Sequence, residues 1–425
     1  MQITLHSPDP RGTLRAFPSK SEAHRLLICA SLADAPTELI CPDTNDDIDA
    51  TIACLCALGA KISRTAQGFA ITPLSQSSAA DQAELDVRES GSTLRFLLPV
   101  ITALGTHAHI IRRGRLPERP LSPLDELLRA HGARICDGAS GTLQVSGHLA
   151  GNEFAIAANI SSQYISGLLF ALPLLDLPTD CRVQLIGRVE SRPYLDMTVS
   201  ALAAFGITVT EKDGVLTLPP HSRYHSPGTL RVGGDWSGAA AFACMGAVGK
   251  HALTISGIDP HSGQGDRAIL SILAEMGASV EIGADSVTVS PAPLHGIRID
   301  AANVPDLVPV LAATAALADG TTHVVGAARL RIKESDRLAT TTAVLRGLGA
   351  DVTETEDGLI IVGKPALAGG SVNAYGDHRI AMTAAVASLG CTSPVTVDGA
   401  QAVAKSYPTF WEQLSALCDP DSVTF

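Results

Sequence analysis

Six nearly all-apolar helical stretches recur along this chain at intervals of about seventy residues, and each opens on polar residues that suit an anion rather than a core. The openings are Ser19-Lys20-Ser21, Ser90-Gly91-Ser92, Ser161-Ser162-Gln163, Asp235-Trp236-Ser237, Pro305-Asp306 and Gly376-Asp377-His378-Arg379. Such a period means that one supersecondary unit is used six times, and it constrains the fold more than any single motif. A second series keeps the same phase: Leu58-Gly59-Ala60, His131-Gly132-Ala133, Phe205-Gly206-Ile207, Met276-Gly277-Ala278 and Leu348-Gly349-Ala350. Each glycine suits the left-handed residue that closes a helix.

Before each glycine lies an amphipathic stretch. It is clearest in Ile269, Ile272, Leu273 and Met276, whose spacing lines one helical face. After each comes a strand-like pair split by a turn, as in Ala350 to Thr353 and Gly358 to Val362. The unit therefore reads helix, strand, helix, hairpin. Its first helix is apolar or small almost all round, as in Ile165 to Leu175, Ala239 to Val248, Leu307 to Ala318 and Ile380 to Leu389, which suits burial on every side. The sixth unit has its second helix near Thr409 to Leu417 and then runs out of chain. Strand-like residues Ile3 to His6 and Thr13 to Phe17 are expected to complete it. Two groups of three units give two similar domains, residues 19–232 and residues 1–18 with 233–425, with crossings at Pro18 and near Gly233-Gly234.

The chain of 425 residues is 46% hydrophobic, ample for sizeable cores. A net charge of −12 argues against a nucleic-acid surface or a basic membrane face. Any anionic substrate must therefore meet local positive charge. Nine scattered cysteines without paired CxxC spacing suggest neither a disulfide framework nor a zinc site. The first residues lack a signal pattern, and apolar runs stop short of the roughly 18 residues a membrane span needs. A cytoplasmic location is expected.

Local positive charge is present at the helix starts: Lys20 and Arg25, Arg95, Arg119, Arg192, Lys333 and Arg337, Arg379, and Lys405. The helix macrodipole favours cations at the other end, so cations gathered here imply an anion between them. The Ser and Asp residues suit N-caps as well as ligands, and their positions alone leave both readings open. Arg offers a bidentate fork for carboxylate or phosphate while Lys supplies a point charge, a mixture suited to a ligand bearing both groups. Asp306 and Glu334 stand among the cations as a candidate base and acid. His24, His107, His109 and His131 have no metal-ligand spacing and read as structural or surface residues. Gly263-Gln264-Gly265-Asp266 lacks the third glycine of a dinucleotide fingerprint and reads as a turn. Neither a cofactor nor a metal is implied.

Taken in order, Ser19-Lys20-Ser21 with Arg25, Ser90-Gly91-Ser92, Glu118-Arg119-Pro120, Ser161-Ser162-Gln163, Ser191-Arg192-Pro193-Tyr194, Pro305-Asp306, Lys333-Glu334-Ser335-Asp336-Arg337, Asp377-His378-Arg379 and Lys405 resemble the 3-phosphoshikimate 1-carboxyvinyltransferase (EPSP synthase) family over nearly the whole chain. The resemblance implies an α/β fold of two similar domains, each of three βαβαββ repeats with buried helices, an inverse α/β barrel. It implies closure around shikimate 3-phosphate and phosphoenolpyruvate, no cofactor, no nucleic-acid or membrane partner, and a monomer. By resemblance Ser161, Ser162 and Ser191 hold the 3-phosphate, while Ser21, Arg25, Gln163, Asp306 and Lys333 hold the shikimate carboxylate and hydroxyls. Phosphoenolpyruvate lies against Lys20, Gly91, Arg119, Gln163, Arg337, Arg379 and Lys405. Asp306 resembles the base and Glu334 the acid, with Lys20 near both.

Two departures stand out. Many members have Asn-Ala-Gly-Thr where Glu89-Ser90-Gly91-Ser92 stands, and an Asn that touches substrate where this chain has Arg329. The enolpyruvyl transferase acting on UDP-N-acetylglucosamine is the nearest rival, but it presents Lys-Asn where Lys20-Ser21 stands and a loop Cys that Arg112 to Arg119 lacks. A non-catalytic anion-binding repeat scaffold is the alternative from another class. It should have lost Lys20, Asp306 or Glu334.

Overall fold

A helix buried on nearly every side persists only where neighbours surround it, and the six openings lead into such helices. They are Lys20–Ser31, Gly91–Leu104, Ser162–Ala171, Trp236–Val248, Val308–Ala315 and His378–Ser388. Every residue of Val308–Ala315 and of His378–Ser388 is buried. Each fully buried Leu or Ile in these helices contributes roughly 1.5–3 kcal/mol. The coordinates are a computed structural model, which describes residues 1–74 and 80–425.

The chain divides into two units, Lys20–Val232 and Met1–Ser19 with Gly233–Phe425. Each has a separate hydrophobic core, and each core contains three of the six helices. Each repeat also builds one four-stranded sheet. In the second repeat the order is Gln82–Asp86, His107–Ile111, Leu143–Gly147, Ala133–Asp137; the first pair is parallel and the others antiparallel. A parallel pair needs a crossover, and the buried helix Gly91–Leu104 is that crossover. Alternate burial along Cys181–Ile186 shows how such a sheet sits, one face on the core and the other in water. The second helix of each of the first five repeats ends on the expected glycine: Gly59, Gly132, Gly206, Gly277 and Gly349 have φ of 117°, 102°, 79°, 109° and 93°.

One strand assignment is corrected. Gln2–Leu5 completes the sixth sheet as expected, pairing antiparallel with Val395–Asp398 and with the C-terminal Val423–Thr424. Gly12–Arg15 instead pairs parallel with Leu253–Ser256 in the fourth repeat. The physical reason is a vacancy. The strand that should lead the fourth repeat, Thr229–Arg231, pairs with Thr37–Ile40 in the first repeat's sheet. The strand before each crossing thus fills the place the other has left. At the crossings Ser19 N–H donates to the Gly233 carbonyl at 2.8 Å, and Pro18 bridges Gly234.

Among the described residues no helix is long and apolar enough to cross a membrane. The nine cysteines stand as free thiols.

Candidate active site

Four of the six openings contain side-chain N-caps. Ser90 accepts from Thr93 N–H, Ser161 from Gln163 N–H, Asp235 from Ser237 and Gly238 N–H, and Asp377 from Arg379 N–H. The capping reading is therefore right at these positions. Asp306 differs. It sits in the short 3₁₀ turn Pro305–Leu307, where no side-chain cap forms, and its carboxylate faces cations instead.

In Lys20–Val232 the first helix begins with Lys20, whose ammonium pairs with Asp47 at 3.0 Å, both side chains being largely buried. One turn on, Arg25 is buried and fully engaged. It donates to Thr198 Oγ1 at 2.8 Å and to the carbonyls of Ser21 at 2.6 Å and Tyr194 at 2.8 Å, and lies 5.0 Å from the centre of the Phe96 ring. Burial lowers its guanidinium to about 10, against Tyr194, Cys29 and Glu22, which raise it. Its contact with Tyr194 ties the first helix to the helix Arg192–Ala204. At the start of that helix Ser191 holds a left-handed backbone, φ 52° and ψ 45°. A non-glycine residue there costs of order 1–3 kcal/mol, and functional sites collect such strain.

The second and third helix starts meet through Gln163, which accepts from Arg95 at 2.9 Å and donates to Ser92 Oγ at 2.9 Å. Arg95 also donates to the Pro120 carbonyl at 3.2 Å, which Tyr164 reaches at 2.6 Å. A Cβ on Gly91 would lie 2.9 Å from a terminal nitrogen of Arg119 and 2.9 Å from one of Arg95. Two guanidinium groups thus converge on a residue without a side chain. Beneath them a buried hydroxyl chain runs from His24 Nδ1 to Thr51 at 2.7 Å, to Thr93 at 2.6 Å and to Ser90 at 2.8 Å. His24 reads as structural here too: burial and then the charges of Lys20 and Arg25 hold its imidazole well below its usual value, hence neutral.

In Met1–Ser19 with Gly233–Phe425 the centre is Arg337, first residue of the helix Arg337–Gly347. Its guanidinium reaches Asp306 at 2.7 Å, Glu334 at 2.9 Å and Asp377 at 2.8 Å. Asp377 also accepts from Ser335 at 3.0 Å, and Lys333 lies 3.4 Å from Asp306. Burial works against the Asp306 charge, but Lys333, Arg337 and Arg379 together outweigh it and hold the carboxyl well below the usual carboxylate range. Asp306 is therefore ionised at neutral pH. These distances bring Asp306, Lys333, Glu334 and Arg337 together. Arg379 donates to the Ser237 carbonyl, and Lys405 to the Gly376 carbonyl at 2.9 Å, beside the helix start that carries Arg379.

Arg192 belongs elsewhere. It forms an exposed surface network with Asp196 at 2.7 Å and Glu211 at 2.6 Å, of the kind that contributes little. Three carboxylates in these clusters carried no assigned role in the sequence reading: Asp47, Asp266 and Asp377. Asp47 had a signal in the acidic run Asp46, Asp47 and Asp49 that opens a helix. Asp266 lies within the stretch read as a turn, and that turn exists as the 3₁₀ segment Gly265–Ala268.

The family model described as EPSP synthase (3-phosphoshikimate 1-carboxyvinyltransferase) matches residues 7–414. The chain belongs to the EPSP synthase family. A 3-phosphoshikimate 1-carboxyvinyltransferase of Clostridium kluyveri is 38% identical over 416 residues, covering 98% of this chain and 97% of that protein. One from Methanocorpusculum labreanum is 37% identical, covering 98% of each. Among solved structures, EPSP synthase from Acinetobacter baumannii superposes with a TM-score of 0.80 at 26% identity, covering 98% of both chains. The enolpyruvyl transferase NikO from Streptomyces tendae, at 18% identity and a TM-score of 0.75 over all of this chain and 98% of that one, shares the fold.

Proposed function

We propose that this EPSP synthase family member is a 3-phosphoshikimate 1-carboxyvinyltransferase, transferring the enolpyruvyl group of phosphoenolpyruvate to the 5-hydroxyl of shikimate 3-phosphate and releasing phosphate. The observation that carries the reading is the Arg337 hub: one buried guanidinium holds Asp306 and Glu334 together, and Asp306 is kept ionised beside Lys333. A charged carboxylate is what a base needs, and a second carboxyl nearby can serve a different proton.

The reaction runs by addition and elimination. The 5-hydroxyl oxygen attacks C2 of phosphoenolpyruvate while its proton passes to Asp306. C3 takes a proton from Glu334, which gives a tetrahedral intermediate. The bond from C2 to the phosphate oxygen then breaks, a methyl proton returns to the Glu334 carboxylate, the double bond re-forms, and phosphate leaves with the proton held by Asp306. Lys20, Gly91, Arg119, Gln163, Arg337, Arg379 and Lys405 receive phosphoenolpyruvate. Fixed cations stabilise the departing phosphate more than water does, because they need no reorganisation as charge develops. Ser161, Ser162 and Ser191 take the 3-phosphate; Ser21, Arg25, Gln163, Asp306 and Lys333, with Lys20, take the rest of shikimate 3-phosphate. The bare Gly91 supports its assignment, since a side chain there would displace Arg119 and Arg95. The enzyme works as a cytoplasmic monomer, and its net charge of −12 supports the absence of a nucleic-acid partner.

Phosphate release, measured with phosphoenolpyruvate plus either shikimate 3-phosphate or UDP-N-acetylglucosamine, tests this. Turnover is expected only with shikimate 3-phosphate. Turnover only with the sugar nucleotide, or with neither, sinks the assignment.

A further inference from the structure

The start of the helix Trp236–Val248 is held from one side by the segment Gln264 to Asp266. Gln264 accepts from Trp236 N–H at 3.1 Å and donates to the Gly234 carbonyl at 2.8 Å. Two residues on, the buried Asp266 accepts a hydrogen bond from the Ser237 hydroxyl, and the carbonyl of that same Ser237 accepts from the Arg379 guanidinium. Three elements thus meet at one serine. Arg379 needs this help because its guanidinium is buried at a helix start, where the macrodipole disfavours it.

We infer that Asp266 is a positioning residue: through its hydrogen bond from Ser237 it fixes the carbonyl on which the Arg379 guanidinium rests, and so the affinity for phosphoenolpyruvate. This deepens the proposed function and rests on it, because it takes Arg379 as a ligand of that substrate. Burial and the nearby Asp306 push the Asp266 carboxyl up to about 6, with Arg379 opposing and Asp235 adding to the rise. Such a group is poised by its surroundings rather than paired on the surface, which sets it apart from Arg192 and its partners. Its charge also offsets part of the Arg379 field. Removing the charge alone therefore strengthens anion attraction, whereas releasing Ser237 weakens it by loosening the guanidinium.

Two substitutions separate these effects. Asp266→Ala removes the acceptor, while Asp266→Asn keeps one for the Ser237 hydroxyl and loses the charge. Asp266→Ala is expected to raise KM for phosphoenolpyruvate about tenfold, the scale of one hydrogen bond to a charged group, with kcat within about twofold. Asp266→Asn should return KM to within about threefold of wild type. Ser237→Ala breaks the same bond from its donor side but keeps the Asp266 charge, so its KM should rise at least as much as that of Asp266→Ala, with the double variant no worse than Ser237→Ala. It also provides the answer should Asp266→Ala fail to fold. Wild-type KM in Asp266→Ala or Ser237→Ala, or an Asp266→Asn as impaired as Asp266→Ala, overturns the inference and leaves the proposed function standing. A wild-type enzyme without turnover overturns both.

Discussion

Asp306→Asn is expected to lower kcat by roughly 10²- to 10⁴-fold, the range contributed by a positioned general base. The carboxamide keeps the shape and can still accept from Arg337, but it cannot take the proton of an attacking hydroxyl. Folding should survive, since Arg337 keeps Glu334 and Asp377 as partners. The sign of the pH dependence follows from the same ion pairs. The Asp306 carboxyl is depressed, so the base is ionised at neutral pH and is lost only as pH falls through a value well below the usual carboxylate range. From about pH 5 upward, no loss of turnover should come from Asp306. Stopped-flow or steady-state phosphate release, with thermal melting as the folding control, checks this. A folded Asp306→Asn enzyme with near-wild-type kcat removes Asp306 from the chemistry.

Arg337→Met should have the largest effect on stability. Three carboxylates converge on this guanidinium, and Asp377 among them is wholly buried. Breaking a buried ion pair from one side costs about 3–5 kcal/mol, because the remaining charge stays buried without its partner. Methionine matches much of the volume, so the loss is electrostatic rather than a cavity. The penalty should shrink as pH is lowered, since Arg337 helps hold the Asp306 carboxyl down and that contribution is lost as Asp306 protonates. Urea unfolding at neutral and acid pH measures both parts. An unchanged midpoint at neutral pH contradicts the role given to Arg337.

Much of this architecture is legible in the sequence because the repeat has a physical signature at both ends of its helices. The all-apolar runs after Ser90, Ser161, Asp235 and Asp377 declare burial, and the glycines from Gly59 to Gly349 declare C-caps at positive φ. Hydrogen-bond direction is not legible in the same way. Ser90 and Asp377 serve as N-caps, whereas Asp306, at the equivalent place, turns to Lys333 and Arg337; only the packed structure separates them. The exchange of Gly12–Arg15 and Thr229–Arg231 between sheets is likewise hidden, because each short strand fits either sheet by its own residues. Partners distant in sequence are the hardest part. Asp47 answers Lys20 across 27 residues and Asp266 answers Ser237 across 29, and no local spacing announces either. Arg192 shows the converse, a helix-start cation inside a recognisable motif that the fold spends on Asp196 and Glu211.

The most direct test of the central claim is a crystal structure of the complex with shikimate 3-phosphate. The 5-hydroxyl oxygen is expected within about 2.6–3.2 Å of the Asp306 carboxylate, the distance a general base requires. A bound shikimate 3-phosphate whose 5-hydroxyl faces another group, with Asp306 turned only to Arg337 and Lys333, contradicts the account.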